Sequence, residues 1–325
     1  LRIYKRKDRK AVIKYIGKRF LQLIPILFGI TFITFTMMNT TAVDTVDKLL
    51  ENTGSVVSQE VEESMRNELG LDKPFLVQYG QWLLGIFKGD MGNSYVSGKD
   101  VFSTIISKLP NTFLLMASSI LLTVIISIPL GIIAAVFQNK FIDYIIRVLS
   151  FIGNSLPGFF LALLLILLFS VKLKWLPIIA SAGSTNLKNL IMPTLTLSIA
   201  MICKYTRQVR AVVLEELNKD YVIAAYARGI GYKTVLFKSV FRCSIMTIIT
   251  LLTLSIASLL GGTAIVETIF MWDGVGKLAI DSINMYDYPM IQAYVIWMAF
   301  IYVAINLISD IVHHYLDPRI RLGKE

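Results

Sequence analysis

Side chains able to do chemistry are sparse in this chain, and their placement says more than their number. The histidines, His313 and His314, are adjacent, so on a helix they point to different faces and make a poor bidentate metal site. Cys203 and Cys243 lie in or near apolar runs, which gives neither a disulfide framework nor a metal-ligand spacing. There is no G-x-x-x-x-G-K-[ST] loop to cradle ATP phosphates and no H-E-x-x-H to hold a catalytic zinc. With both histidines at one helix end, a Ser/His hydrolase has no base to place beside its nucleophile. Carboxylates inside the apolar runs are nearly absent, Asp310 being the exception. A proton-coupled secondary transporter needs such groups near the middle of the membrane. The sequence therefore predicts no catalytic residue and no metal site, and the energy for any transport has to come from a partner.

What stands out instead is a stretch built for contact. Glu215 to Arg242 is basic and soluble-looking, yet it is caught between long apolar runs. From Lys204 to Arg242 there are eight basic residues against Glu215, Glu216 and Asp220. The segment reads as a helix from about Glu216 to Arg228, a break at Gly229 and Gly231, and a second helix starting near Thr234. Glycine at a helix end can turn the chain through the left-handed region at little steric cost. Two short helices meeting at an angle form a knob, and the small residues Ala224, Ala225 and Ala227 let another protein's surface approach closely.

The elements that must position this knob are membrane spans. Of 325 residues, 55% are hydrophobic, and several apolar stretches reach the roughly 20 residues that cross a bilayer. The net charge of +10 sits in short segments beside those stretches, which is the positive-inside pattern rather than a nucleic-acid surface. Residues 1–19 form a basic cytoplasmic segment, and 20–38 is the first span. That run is full length and follows a basic head, so no short cleavable signal is expected. Residues 39–110 are rich in acids and read as an external scaffold subdomain, with a polar helix near Ser58 to Leu69 and an amphipathic one over Pro74 to Phe87.

Residues 111–325 form the core. Its spans are expected at about Thr112–Phe137, Ile145–Val171, Leu190–Val209, Ile245–Val266 and Met290–Val312. A short external helix is expected between Glu267 and Pro289. The fold class is all-α and polytopic, with six spans, both ends cytoplasmic, and the loop at 215–242 facing inward. In the third span, Asn154, Ser155 and Pro157 mark a kink, and polar groups at that depth must face protein or a wet cavity. They are candidates for the translocation path, as are Gly261 and Gly262 in the fifth span.

Tyr221-Val222-Ile223-Ala224-Ala225-Tyr226-Ala227-Arg228-Gly229 resembles the Glu-Ala-Ala coupling loop of ABC importer permeases, and the flanks are similar to the dipeptide/oligopeptide/nickel branch of that family. After the loop come Gly261-Gly262, then Val266-Glu267-Thr268-Ile269-Phe270 with Trp272, Gly274 and Gly276, Asp287-Tyr288-Pro289, and Leu316-Asp317-Pro318-Arg319-Ile320-Arg321. Upstream stand Leu71-Asp72-Lys73-Pro74, Gln78-Tyr79, Gly89-Asp90-Met91-Gly92 and Ser94-Tyr95. The likeness runs from about Phe20 to the end. Three positions depart from it: Ile223 replaces the motif's Glu, and Thr247 and Asp273 stand where many relatives have Pro.

The resemblance implies a type I ABC importer permease fold with the scaffold inserted between spans 1 and 2, in the bacterial cytoplasmic membrane. It implies a second, homologous permease as partner, two cytoplasmic ATPases that bind ATP and Mg, and an extracytoplasmic substrate-binding (lipo)protein; no cofactor is expected in this chain. For ATPase coupling, it implies that Asp220 and Tyr221 cap or seat the helix, that Ala224, Ala225 and Gly229 allow close approach, and that Arg228 and Lys233 touch the ATPase. Di- and oligopeptides are the first substrate expectation, with nickel or a metal–metallophore complex as the alternative. On composition alone, a secondary transporter and a non-transporting membrane scaffold stay open.

Overall fold

Backbone N–H and C=O groups have no water to bond in a bilayer core, so long apolar runs are driven into helices. The computed structural model describes residue 17, residues 21–22 and 24–37, residues 61, 63, 64 and 67, and residues 73–178 and 187–316. Most of the basic head and of the polar helix expected near Ser58 to Leu69, the side chains of His313 and His314, and the Asp317–Arg321 motif lie outside this description.

The helices in order are α1 (Ile24–Met37), α2 (Phe75–Phe87), α3 (Val101–Val136), α4 (Phe141–Ser155), α5 (Gly158–Leu165), α6 (Leu187–Leu217), α7 (Asp220–Ala227), α8 (Tyr232–Thr234), α9 (Phe241–Ile269), α10 (Val275–Asn284) and α11 (Tyr288–Leu316). π-helical stretches Ile166–Lys172 and Val235–Val240 extend α5 and join α8 to α9. Among the described residues four helices are long and apolar enough to cross a membrane, or five when the bent pair α4 and α5 counts as one span. No strand is present among them beyond an isolated bridge between Asn93 and Asp100.

Several features differ from expectation. The third span is not a kinked rod: α4 and the helix Gly158–Lys172 meet at 102°. Leu156 and Pro157 between them are both extended, with ψ of 129° and 138°, because a residue before proline is pushed out of the helical region. The helix that carries the fourth span continues past Val209 to Leu217, with Pro193 accommodated inside it. The helix expected from Glu216 accordingly starts only at Asp220. The second arm of the knob is not a separate short helix either, since α8 runs through the π-helical stretch straight into α9.

The chain divides into two compact units. In the first, residues up to 111 with 273–304, α1 and α2 share a ring cluster. Phe32 and Phe35 pack on Phe75 and Tyr79, with Trp82 closing the group, at centroid distances of 5.4–6.0 Å. Thr31 and Tyr79 hydroxyls meet at 3.0 Å inside this cluster. The loop before α3 is pinned from afar: the Ser94 hydroxyl donates to Asp287 at 2.5 Å and the Tyr95 N–H to the same carboxylate at 3.1 Å. Burial, then the Asp287 charge, raises the Tyr95 phenol above its ordinary pKa. Asp100 caps α3 by accepting the Ser103 N–H at 2.7 Å. Lys108 pairs with Asp273.

In the second unit, residues 112–272 with 305 onward, hydroxyls stitch α3 to α6. Ser118 meets Thr194 at 2.9 Å, and Ser198 donates to the Ser119 carbonyl at 3.2 Å. The Thr112 hydroxyl donates to the fully buried Glu267 carboxylate on α9 at 2.7 Å. Gly131 lets α3 cross α6 closely, since a Cβ there would sit 2.6 Å from that of Val209.

Candidate coupling site

α6 ends at Leu217, Lys219 is extended, and α7 begins at Asp220. Asp220 is thus the first helical residue rather than the cap, and the cap Lys219 makes no side-chain bond there. The Asp220 charge still favours the positive end of the helix dipole. Tyr221 is seated from within this chain: its hydroxyl donates to Glu216 at 2.9 Å, and Lys219 pairs with the same carboxylate. Burial and that carboxylate push the Tyr221 phenol well above its usual pKa, so it stays a neutral donor.

The inner face of α7 carries Val222 and Ala225, three residues apart and both buried. They join Ala135 of α3, Val209 and Val213 of α6, Val235, Leu236 and Val240 of the π-helical stretch, and Ile248 of α9 in one apolar core. Ala225 packs inside this chain, so its small side chain serves this core. Ala224 faces outward.

The outer face is apolar, aromatic and basic. Ile223 is 62% and Phe237 60% exposed, and Tyr226 stacks on Tyr232 with ring planes 7° apart. Arg228 and Lys233 are exposed, although the Arg228 Nε donates to the Ala224 carbonyl at 3.2 Å. Gly229, at φ +77°, ends α7: its N–H donates to Tyr226 O at 2.9 Å and the Ile230 N–H to Ala225 O at 3.1 Å. This pair of bonds is the Schellman closure, which needs a left-handed residue at that position.

The residues expected on a path sit on two helices and at the break. Asn154 and Ser155 are exposed at the end of α4, where Ser155 donates to the Phe151 carbonyl at 2.9 Å. Pro157 precedes α5. Gly261 and Gly262 are exposed on α9, and among the described residues nothing lies within 4 Å of a built Cβ.

Sequence reading missed Glu216 and the Asp143–Arg210 pair between α4 and α6. The Arg210 Nε and Nη2 donate to Asp143 at 2.7 and 2.8 Å. Asp143 and Arg147 at i,i+4 gave half of this signal, but nothing local points to Arg210.

Comparison with known proteins places these features. The profile of the family described as "Binding-protein-dependent transport system inner membrane component" matches residues 127–322. A second profile, for the N-terminal part of the membrane component of such systems, matches residues 12–116. The oligopeptide transport system permease protein AppB of Bacillus subtilis (strain 168) is 39% identical over 317 residues, covering 94% of this chain and 98% of that protein. The glutathione transport system permease protein GsiC of Escherichia coli (strain K12) is 34% identical over 310 residues, covering 95% and 99%. Among solved structures, an inward-facing form of the MetNI methionine ABC transporter superposes with a TM-score of 0.55 at 14% identity, over 66% of this chain and 96% of that one, a likeness of fold. The chain, a multi-pass membrane protein, belongs to the family of inner membrane components of binding-protein-dependent transport systems.

Proposed function

We propose that this chain is a permease subunit of an ATP-driven, binding-protein-dependent importer of di- or oligopeptides. The observation that carries the reading is the division of α7 into two faces. Val222 and Ala225 are sunk in the core that joins α3, α6 and α9, while Ile223, Tyr226, Arg228 and Lys233 are exposed beside Tyr232 and Phe237. Force applied to the outer face by a partner passes directly into three helices. The peptide assignment is supported by the names of the relatives AppB and GsiC, which are oligopeptide and glutathione permeases.

In this reading the protein has six spans with both ends cytoplasmic, and it encloses the pathway together with a second, similar permease. Two cytoplasmic ATPases hold ATP and Mg, and one of them receives α7. Asp220 and Tyr221 fix the start of the helix, Gly229 its end, and Ala224, Arg228 and Lys233 meet the ATPase. An external binding protein delivers substrate to the 39–110 side. Asn154, Ser155, Pro157, Gly261 and Gly262 line the path, where the bent pair breaks and the glycines leave room.

The test is the ATPase activity of the purified assembly in lipid, with its binding protein empty, loaded with peptide, or loaded with a nickel chelate. Stimulation by the peptide-loaded form is expected. Stimulation only by the metal-loaded form moves the substrate class to metal chelates, and an assembly with no ATPase refutes the coupling role of α7.

A further inference from the structure

α4 is held to the rest of its unit along one narrow stripe. Phe141, Tyr144, Val148 and Phe151 are exposed, whereas Asp143, Ser150 and Gly153 are buried on the side that meets α6. At one end of that stripe, a Cβ on Gly153 would sit 2.4 Å from the Cys203 Sγ, so the helices touch backbone to side chain. At the other end Asp143, fully buried, takes the forked Arg210 guanidinium at 2.7 and 2.8 Å. The same carboxylate accepts the Asn139 N–H at 2.9 Å, and Asn139 is in the left-handed region (φ 59°) of the turn that follows α3. Arg147 approaches it at 3.5 Å while lying over the Tyr144 ring. One carboxylate therefore ties the α3–α4 turn, α4 and α6 together. Besides the Arg210 fork, the direct polar contact from α6 to α4 among the described residues is a long one, from the Cys203 Sγ to the Leu149 carbonyl at 3.9 Å.

The position of this joint is informative. Arg210 lies between Val209 and Val213, both in the core that holds the inner face of α7. The far end of α4 is the extended Leu156–Pro157 break, where the bent pair turns through 102°. A forked guanidinium–carboxylate pair fixes direction as well as distance, so a rotation of α6 is passed on rather than slipped past. We infer that the Asp143–Arg210 clamp is the positioning joint that makes α4 follow α6, so that a displacement of α7 reaches the break at Leu156–Pro157. Asp143 touches neither ATP nor substrate; it acts through the helices that it joins. This rests on the importer reading above.

The experiment uses the full assembly with both permeases, the ATPases and the loaded binding protein in liposomes, and reads substrate moved per ATP hydrolysed. In D143N the fork loses its charge partner, and the ratio is expected to fall by about five-fold or more, the lower end of ordinary coupling between sites. R210K keeps the charge but not the fork, and the expected fall is smaller. The D143N/R210K double variant should be no worse than D143N alone, because both changes break one interaction. A purely structural pair would lower the amount of assembled complex and leave the ratio untouched. A wild-type ratio in assembled D143N or R210K therefore overturns the clamp, and so do losses that multiply in the double variant. A wild-type assembly that hydrolyses ATP without moving substrate refutes the importer reading and the clamp with it. A coupled wild type beside an equally coupled D143N refutes the clamp alone.

Discussion

Gly229 can be needed for room or for conformation, and these two reasons predict opposite orders of substitution. A Cβ built on Gly229 meets nothing within 4 Å, so the described residues give no steric reason for glycine. Its φ of +77° does, because an L-residue held in the left-handed region costs roughly 1–2 kcal/mol, with Asn tolerated better than Ala and β-branched residues worst. The strain is set against the Schellman bonds from Gly229 and Ile230 that close α7. Taking about 1.4 kcal/mol per factor of ten, Gly229→Ala shifts the closed-to-frayed ratio of α7 by roughly five- to thirty-fold, and Gly229→Val by more. The assay is substrate moved per ATP in the reconstituted assembly, with the thermal midpoint of the purified chain as a companion. The expected order of activity is Gly, Asn, Ala, Val. If Gly229 instead exists to let a partner close in, the larger Asn must be worse than Ala. Ala outperforming Asn would refute the conformational argument, and unchanged coupling in Gly229→Val would refute the role of Gly229 altogether.

Two further substitutions probe the frame around the site. Gly131→Ala places a Cβ 2.6 Å from that of Val209 and 2.9 Å from the Thr206 carbonyl, so α3 and α6 must separate at a cost of about 1–3 kcal/mol. Gly262→Ala meets open space and is the matched control, so the thermal midpoint should fall for Gly131→Ala and hold for Gly262→Ala. Asp287→Ala strips the buried Ser94 hydroxyl and the Tyr95 N–H of their acceptor, about 1–3 kcal/mol of lost satisfaction. Limited proteolysis should then cut the loop at 92–100 faster than in the wild type.

Periodicity and glycine placement made much of this legible in the sequence. The amphipathic helix expected over Pro74 to Phe87 is α2, and the break at Gly229 is where the chain turns. What escaped was long-range. α6 runs eight residues past Val209 because Arg210 and Val213 have partners on α4 and in the α7 core, partners that a hydropathy window does not see. Pro157 signalled a perturbed helix, but a kink and a 102° break share one sequence signature; the extended Leu156 decides between them. Ala224 and Ala225 look equivalent as neighbours in a motif, yet helical geometry turns one to solvent and the other into the core.

That last distinction bears on how a short helix can carry force. α7 has eight residues, well below the length at which a helix holds itself together in water. Its stability must come from burying Val222 and Ala225 beside Val209, Val213, Leu236 and Ile248. The helix is therefore formed only while it is docked on α6, α9 and the end of α3, and any push on Ile223 or Tyr226 that leaves it folded has to move that core as well. A longer, self-supporting helix tethered by the same loops could tilt alone and dissipate the motion. The shortness of α7 is thus what ties its outer surface to the membrane helices, and under the proposed importer function weakening its inner packing should uncouple the protein before it unfolds it.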